Sequence, residues 1–519
     1  MMIKFPDEDM EGACFALGDK FPSANSHQMI KLNRDTLSSF GPAVTRPTYD
    51  RDRLRPGIVH FGVGNFHRVH QGLAVETCLH HPGHEGWGIC GVGLMDGLAA
   101  REKAEAYRRQ DNLYTVTELT SVTPHRTQIV GAMIEYLHAP SEPEAVLTRL
   151  ADSATRIVSL TITEGGYNID EVSGAFRLDT PDIRCDLAGG TPRTMFGYIV
   201  AALARRRRAG LPPFTVMSCD NLQRNGDISR RCVVSFARRL DPGLADWIEE
   251  YGAFPNSMVD RIAPQVPEDE RQRLVKATGV DDRLAATCET YTSWVVEDRF
   301  CAGRPELELA GVVFSDEVPA YVAVKGRLSN AAHMLMCYPA LLMGSRFVDE
   351  GMRHPDIPRL LRNFWNLDAR RLVDPPSGYS IEAFTEKVIE RFANQAIKDQ
   401  LLRVAHDGAS KIVVFHGKTI GQLIANDCDL TREAFLIACF GRYLGGIDDE
   451  GVPFEVSEPH IGNADWARLR GGDPLAVLDI EVFRGFRLRE SPRFLAAYQS
   501  ISQQLASQGT AATLTELLV

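Results

Sequence analysis

The chain has 519 residues, with 57 Lys and Arg against 68 Asp and Glu, a net charge of −11. Its 44% hydrophobic and 24% charged residues, with a mean hydropathy of −0.16, exclude a disordered or fibrous protein. An isoelectric point near 5.7 argues against nucleic acid as a partner, because phosphate binding needs a basic face.

A membrane span is not expected either. The most apolar stretch, 331–344, falls short of the ~20 residues a spanning helix needs, and it contains His333 and Pro339. The first residues are acidic and lack a long apolar run, unlike a signal peptide. Eleven cysteines occur without a C-x-x-C pair, which reads as buried thiols in a reducing cytoplasm and predicts no metal site.

Along the chain, residues 1–28 lack periodicity and read as an N-terminal extension. Apolar runs at 58–64, 87–94, 113–119, 128–137, 156–163 and 214–219 predict strands. Helical patterns lie between them at 66–80, 143–154 and 191–209, the last ending in the basic run Arg205–Arg208 and a glycine. This alternation predicts an α/β, Rossmann-like domain over 29–316 with a parallel sheet. After about Pro319 the pattern turns helical, at 321–343, 357–365, 381–393, 399–405 and 432–444, following a cap-like Ser315-Asp-Glu. A mainly α-helical domain is therefore expected over 317–519.

Two clusters carry chemistry. The first strand runs through Phe61 into Gly62-Val63-Gly64-Asn65-Phe66-His67-Arg68. Two glycines let a backbone turn sharply beside a pyrophosphate at a helix N-terminus. The third glycine of that fingerprint is replaced by His67, and a purely structural strand-to-helix turn gives the same pattern. Asp96, after the second strand, suits adenosine ribose hydroxyls and would favour NAD over NADP, although an acid in a turn reads alike and Arg101 lies near.

The second cluster is Lys325, Asn330 and His333. At about 100° per residue, Asn330 falls about 140° from Lys325 and His333 about 80°, so the three can share one broad face. Oxidising a secondary alcohol needs a base for the hydroxyl proton and donors for the developing alkoxide. A lysine serves as that base if burial or nearby cations lower its pKa to roughly 7–8. Asparagine amides suit an oxyanion pocket, and a histidine can orient a substrate oxygen.

The run 57–70 (GIVHFGVGNFHRVH) resembles the signature of the polyol-specific long-chain dehydrogenases. The resemblance continues through 161–168 (TITEGGYN), 218–226 (SCDNLQRNG), 254–261 (FPNSMVDR), 325–333 and 403–411 (RVAHDGASK), covering the chain from about Met29 to near its end. It implies an NAD-dependent enzyme that interconverts a polyol such as D-mannitol with its ketose without a metal. It further implies that Lys325 is the general base, that Asn221 and Asn330 stabilise the alkoxide, and that His333 holds the reacting hydroxyl. Asp260, Arg403, His406 and Lys411 would bind the polyol, and Phe61 to Phe66 with Arg68 would cradle the cofactor. The family commonly carries an acid three positions before the lysine, where this chain has Val322, which puts proton release in doubt. Hexuronate reduction or D-arabinitol or D-sorbitol oxidation are alternatives within the family, and a non-catalytic nucleotide sensor is one outside it. The segment 403–411 is more similar to members acting on mannitol, and a binding module has no need of a base.

Overall fold

The computed structural model describes residues 29–121, 125–170 and 174–519; the extension read at 1–28 lies outside them. Five strands, β1 (Pro56–Phe61), β2 (Gly88–Gly93), β3 (Met133–His138), β4 (Ile157–Leu160) and β5 (Thr215–Ser218), form a sheet in the order β3-β2-β1-β4-β5. Every pairing is parallel, with Val59 opposite both Cys90 and Val158. Parallel sheets bury both faces, which is why these strands read as unbroken apolar runs. Val59, Phe61, Val92 and Leu160 pack beneath one layer of helices, which includes Pro143–Ala151 and Met195–Arg208. Ile58, Ile89, Ile157 and Met217 face the opposite side, against helix Gln71–Leu79 and a second sheet.

That second sheet, of Val44–Thr45, Arg126–Val130, Tyr114–Leu119 and Ala286–Glu289, corrects one expectation. The apolar run at 128–137 is not one strand but parts of two, broken at Gly131 and Ala132, and its halves belong to different sheets. A Cβ on Gly131 would come within 2.8 Å of Pro47, so the break sits where another segment crosses closely. The expected helix at 66–80 is likewise split into Asn65–Val69 and Gln71–Leu79. Strand Ser257–Asp260 pairs antiparallel with Ser293–Val296, setting Asp260 opposite Ser293.

From Val318 the chain is helical. Helix Ala331–Leu342 is buried on all sides, among Ile412, Phe435, Phe440 and Phe494. Its apolar sequence is thus that of a central core helix. Among the described residues no helix is long and apolar enough to cross a membrane. Helices Gly408–Ala425 and Pro492–Leu517, absent from the expectations, wrap this core; the latter breaks at Gly509, φ +80°. Ser315 does not cap the helix Val318–Val324 itself; it lies two residues before the N-cap Glu317, whose N–H its hydroxyl accepts.

Candidate active site

The carboxyl ends of the parallel strands present their loops along one edge of the sheet, the edge at which ligands bind in open α/β sheets. After β1, Gly62 adopts φ +91°, and a Cβ there would lie 2.1 Å from the Thr161 carbonyl oxygen. Only glycine fits. A Cβ on Gly64 would have no neighbour closer than 3.8 Å, so the loop is open on that side. Phe61 and Val63 bury their side chains. The loop is clamped from several directions: Lys103 donates to the Val63 carbonyl, Arg68 to Leu284 O and Asn65 Oδ1, and Asn65 Nδ2 to Pro264 O at 3.0 Å. Phe66 stacks on His70 with ring centroids 4.7 Å apart. Asn65, Phe66 and Arg68 therefore shape the loop by holding its neighbours. His67, in the position of the missing glycine, is buried and stacked on His60 at 3.6 Å. Burial pushes the Lys103 amine down to about 8, with Arg68 adding to the effect.

After β2, Asp96 is exposed and accepts from the Gly97 N–H at 2.7 Å and from Arg101 at 3.1 Å, both of which hold its carboxyl below the usual range. After β4 and β5 the loops interlock. Asp220 accepts the Ile162 and Thr163 N–H groups, and burial raises its carboxyl to about 6. Thr163, at φ +63°, turns the chain into Glu164. Asn225 ties the same loop down by donating to Ser218 O, Asp220 O and Ser257 O. Asn221 is thereby presented at the surface of the loop.

The helical half meets this edge at Lys325, whose Nζ donates to Asn221 Oδ1 at 2.6 Å. Burial lowers the Lys325 amine below an ordinary lysine; Asp260 opposes that shift, Arg391 reinforces it, and Glu164 opposes it. Burial also drives His333 down to about 3, so its ring is neutral at working pH. The ring lies 3.8 Å from that of Phe392, with Nδ1 buried and unpartnered. Asn330 is half-buried, and its amide makes no hydrogen bond among the described residues. The helix between them is not regular: residues Lys325–Asn330 form a π turn, with the Ala331 N–H bonded to Gly326 O five residues back. The 100° arithmetic therefore misplaces Asn330. With bonds from i to i+5, the turn takes more residues, and Asn330 comes round much closer to Lys325.

Asp260 is ion-paired. Arg391 binds it through two bonds, 2.9 and 3.0 Å, and binds Glu289 through two more at 2.8 Å. Burial tends to raise the Asp260 carboxyl, but Arg391 and Lys325 outweigh it and hold it low. The Arg391 guanidinium also lies over the Tyr291 ring at 4.1 Å. Arg403 is paired twice with Asp399 at 2.7 Å, and Lys411 donates to Val404 O at 3.0 Å. Lys411 is lowered by burial and then by Arg403, and Arg403 also acts to lower His333. His406 is exposed at the end of helix Leu401–Ala405; among the described residues its ring bonds to none of the others.

Sequence reasoning missed Arg391, Glu289 and Glu164. Arg391 carried a signal: in helix Ile381–Phe392 the buried positions are 381, 384, 385, 388, 391 and 392, so an arginine occupies the apolar phase. Nothing in the pattern marks Glu289 or Glu164. Among the described residues no group of three or more His, Cys, Asp or Glu is placed to hold a metal.

Comparison with known proteins agrees with this architecture. The mannitol dehydrogenase Rossmann domain matches residues 56–309, and the mannitol dehydrogenase C-terminal domain matches 317–506. A polyol:NADP oxidoreductase of Gluconobacter oxydans is 45% identical over 457 residues, 88% of this chain and 94% of that protein. A mannitol 2-dehydrogenase of Phaeosphaeria nodorum is 40% identical over 492 residues, 94% of this chain and 85% of that one. Among solved structures, a D-sorbitol dehydrogenase in substrate-free form superposes with a TM-score of 0.86 at 42% identity, covering 93% of this chain and all of that one. The Pseudomonas fluorescens mannitol 2-dehydrogenase in complex with NAD and D-mannitol gives 0.85 at 38% identity, covering 94% and 99%. The chain belongs to the mannitol dehydrogenase family and is a polyol oxidoreductase acting on a secondary alcohol.

Proposed function

We propose that the protein interconverts D-mannitol and D-fructose with NAD, using Lys325 as general base. The observation that carries this reading is the Lys325 amine, lowered by burial and set 2.6 Å from Asn221 at the meeting of the two halves. The open backbone of Gly62 and Gly64 fits a dinucleotide, and Asp96 at the end of β2 fits adenosine ribose hydroxyls. NAD supplies the acceptor for the two electrons and proton removed from the alcohol carbon.

In this reading the substrate hydroxyl replaces Asn221 as the partner of Lys325. The neutral amine takes its proton, and the Asn221 and Asn330 amides donate to the oxygen as negative charge grows there. His333, neutral and with Nδ1 unpartnered, offers a hydrogen bond that fixes the hydroxyl. Asp260 steadies the protonated amine, with Arg391 holding its carboxylate in place. Lys411, Arg403 and His406 are assigned to the distal hydroxyls. Val322 cannot carry the proton onward, and Glu164, an exposed carboxylate whose charge bears on Lys325, is assigned that step.

Of the two cations that could meet a hexuronate carboxylate, Arg403 is paired with Asp399, and Lys411 alone is without an acidic partner among the described residues. A panel of mannitol, sorbitol, arabinitol and hexuronates, each with NAD and NADP, tests the assignment. D-mannitol with NAD should give the highest kcat/KM. A hexuronate, or a polyol other than mannitol, above it by tenfold would overturn the substrate assignment.

A further inference from the structure

The π turn at Lys325–Asn330 is what brings the proposed base and its neighbouring amide to one face, and such a turn displaces carbonyls from the regular i to i+4 ladder. Two buried side chains meet carbonyls of this region. The Trp365 indole N–H donates to Leu328 O at 2.8 Å, and His416 Nε2 donates to Ala331 O at 2.9 Å. Trp365 itself stands in a second π turn, Phe364–Ala369, packed against the first. Arg327, within the first turn, donates to Leu372 O and to Gln422 Oε1.

His416 is completely buried, and both its nitrogens face acceptors. Nδ1 lies 2.9 and 3.1 Å from the two carboxylate oxygens of buried Glu433, opposite the carbonyl at Nε2. With a carbonyl at Nε2 and a carboxyl group at Nδ1, the ring is favoured as the imidazolium, which donates to both. Burial opposes that charge, but the charge and hydrogen bond of Glu433 and the Ala331 carbonyl outweigh it; Asp368, paired with Arg432, adds in the same sense. None of these groups reaches the reacting atoms.

We propose that Trp365 and the His416–Glu433 pair are positioning residues, which hold residues 325–330 in the π turn and so keep Lys325, Asn330 and His333 on one face. The inference rests on Lys325 being the base, and its test separates the two ideas. Trp365→Phe keeps the ring and removes one donor; Glu433→Gln keeps the volume and removes the carboxylate that charges His416. Both leave Asp260, Arg391 and Glu164, the charged groups that act on Lys325, unchanged.

In each variant kcat for polyol oxidation should fall about 10- to 100-fold, the scale of a small misplacement of a reacting group. KM for the cofactor should stay constant. The Lys325 amine, followed by NMR after ¹³C reductive methylation and identified with Lys325→Ala, should titrate nearer the ordinary lysine value of about 10.4, because a relaxed turn admits water. A folded variant with wild-type kcat and an unmoved titration overturns the proposal. So does a loss of kcat with an unmoved titration, which is what general loosening gives. If Glu433→Gln does not fold, Trp365→Phe alone decides. If Lys325→Ala retains kcat, the base assignment falls, and the NMR titration still reads whether the turn is held.

Discussion

The two halves of the molecule place their polar groups by different means. In the sheet half, Gly62, Asp96, Glu164 and Asn221 each follow the carboxyl end of a parallel strand, so topology alone gathers them on one edge. In the helical half, Lys325, Asn330 and His333 lie within nine residues of one another, and a local departure from the α-helix brings Asn330 round closer to Lys325. The positions in the sheet half are set by strand order. The helical half depends on a few buried hydrogen bonds and should be the more fragile to substitution.

The largest effect tests the helical side. Lys325→Ala removes the proposed base while leaving the glycine loop intact, so kcat for polyol oxidation should fall by about 10²–10⁴ with cofactor affinity nearly unchanged. The wild-type profile carries the matching sign. Because burial lowers the amine, oxidation should rise with pH through a midpoint below that of an ordinary lysine, and ketose reduction should fall over the same interval. Stopped-flow rates of wild type and variant across pH check both. A retained rise in Lys325→Ala would place the base elsewhere.

Arg391 joins the halves and should be next in size. Its side chain, with those of Asp260 and Glu289, is at most 10% exposed, and it balances two carboxylates. Removing one partner of a buried pair costs about 3–5 kcal/mol, because the remaining charges stay buried without compensation. Arg391→Met should lower the melting temperature and also kcat/KM, since Asp260 would no longer be held beside Lys325. A melting temperature unchanged at neutral pH would mean that water or a second cation already compensates the carboxylates.

What could be read in advance follows the same division. The strand-to-loop logic was legible: apolar runs, two glycines and an acid after the next strand are periodic or positional signals. The helix bearing Lys325 was legible as a helix, but its phase was not, because a π turn leaves no mark in apolar periodicity and depends on tertiary donors such as Trp365 and His416. Asp260 could be picked out as a site residue, yet its partner Arg391 lies 131 residues away and Glu289 comes from another strand. Nor could a sequence show that Arg403 is paired with Asp399 one helical turn before it, because spacing permits such a pair without requiring it. The missed second sheet has a similar cause. The run at 128–137 is largely apolar, and only the crossing of Pro47 and Tyr49 over Gly131 makes it two strands.

Gly62 tests the sheet side. It sits at φ +91°, and a methyl carbon added there would lie 2.1 Å from Thr161 O, so Gly62→Ala must shift the loop or the strand behind it. Strain of this kind is worth about 1–3 kcal/mol, so the cofactor KM should rise roughly tenfold or more while the Lys325 pH midpoint stays in place. The midpoint is the informative part. If it moves, the two halves are mechanically coupled through the Asn221 loop, and the division drawn above is too sharp.

The smallest effect concerns the choice between cofactors. Asp96 is exposed, tied to the Gly97 N–H and to Arg101, so its charge is well screened by solvent. Facing ribose hydroxyls, it would accept their hydrogen bonds from NAD and repel the 2′-phosphate of NADP. Asp96→Ser keeps an acceptor for Gly97, removes that repulsion and frees Arg101 to meet a phosphate. The ratio of kcat/KM for NADP to that for NAD should therefore rise a few-fold, chiefly through KM, and the rise should shrink as salt is added, because exposed charges are screened over about 10 Å at 0.1 M ionic strength. Arg101→Ala in the same background should cancel part of the gain, since the released guanidinium is then gone. An unchanged ratio would mean that Asp96 serves only its turn and does not set the choice between the cofactors.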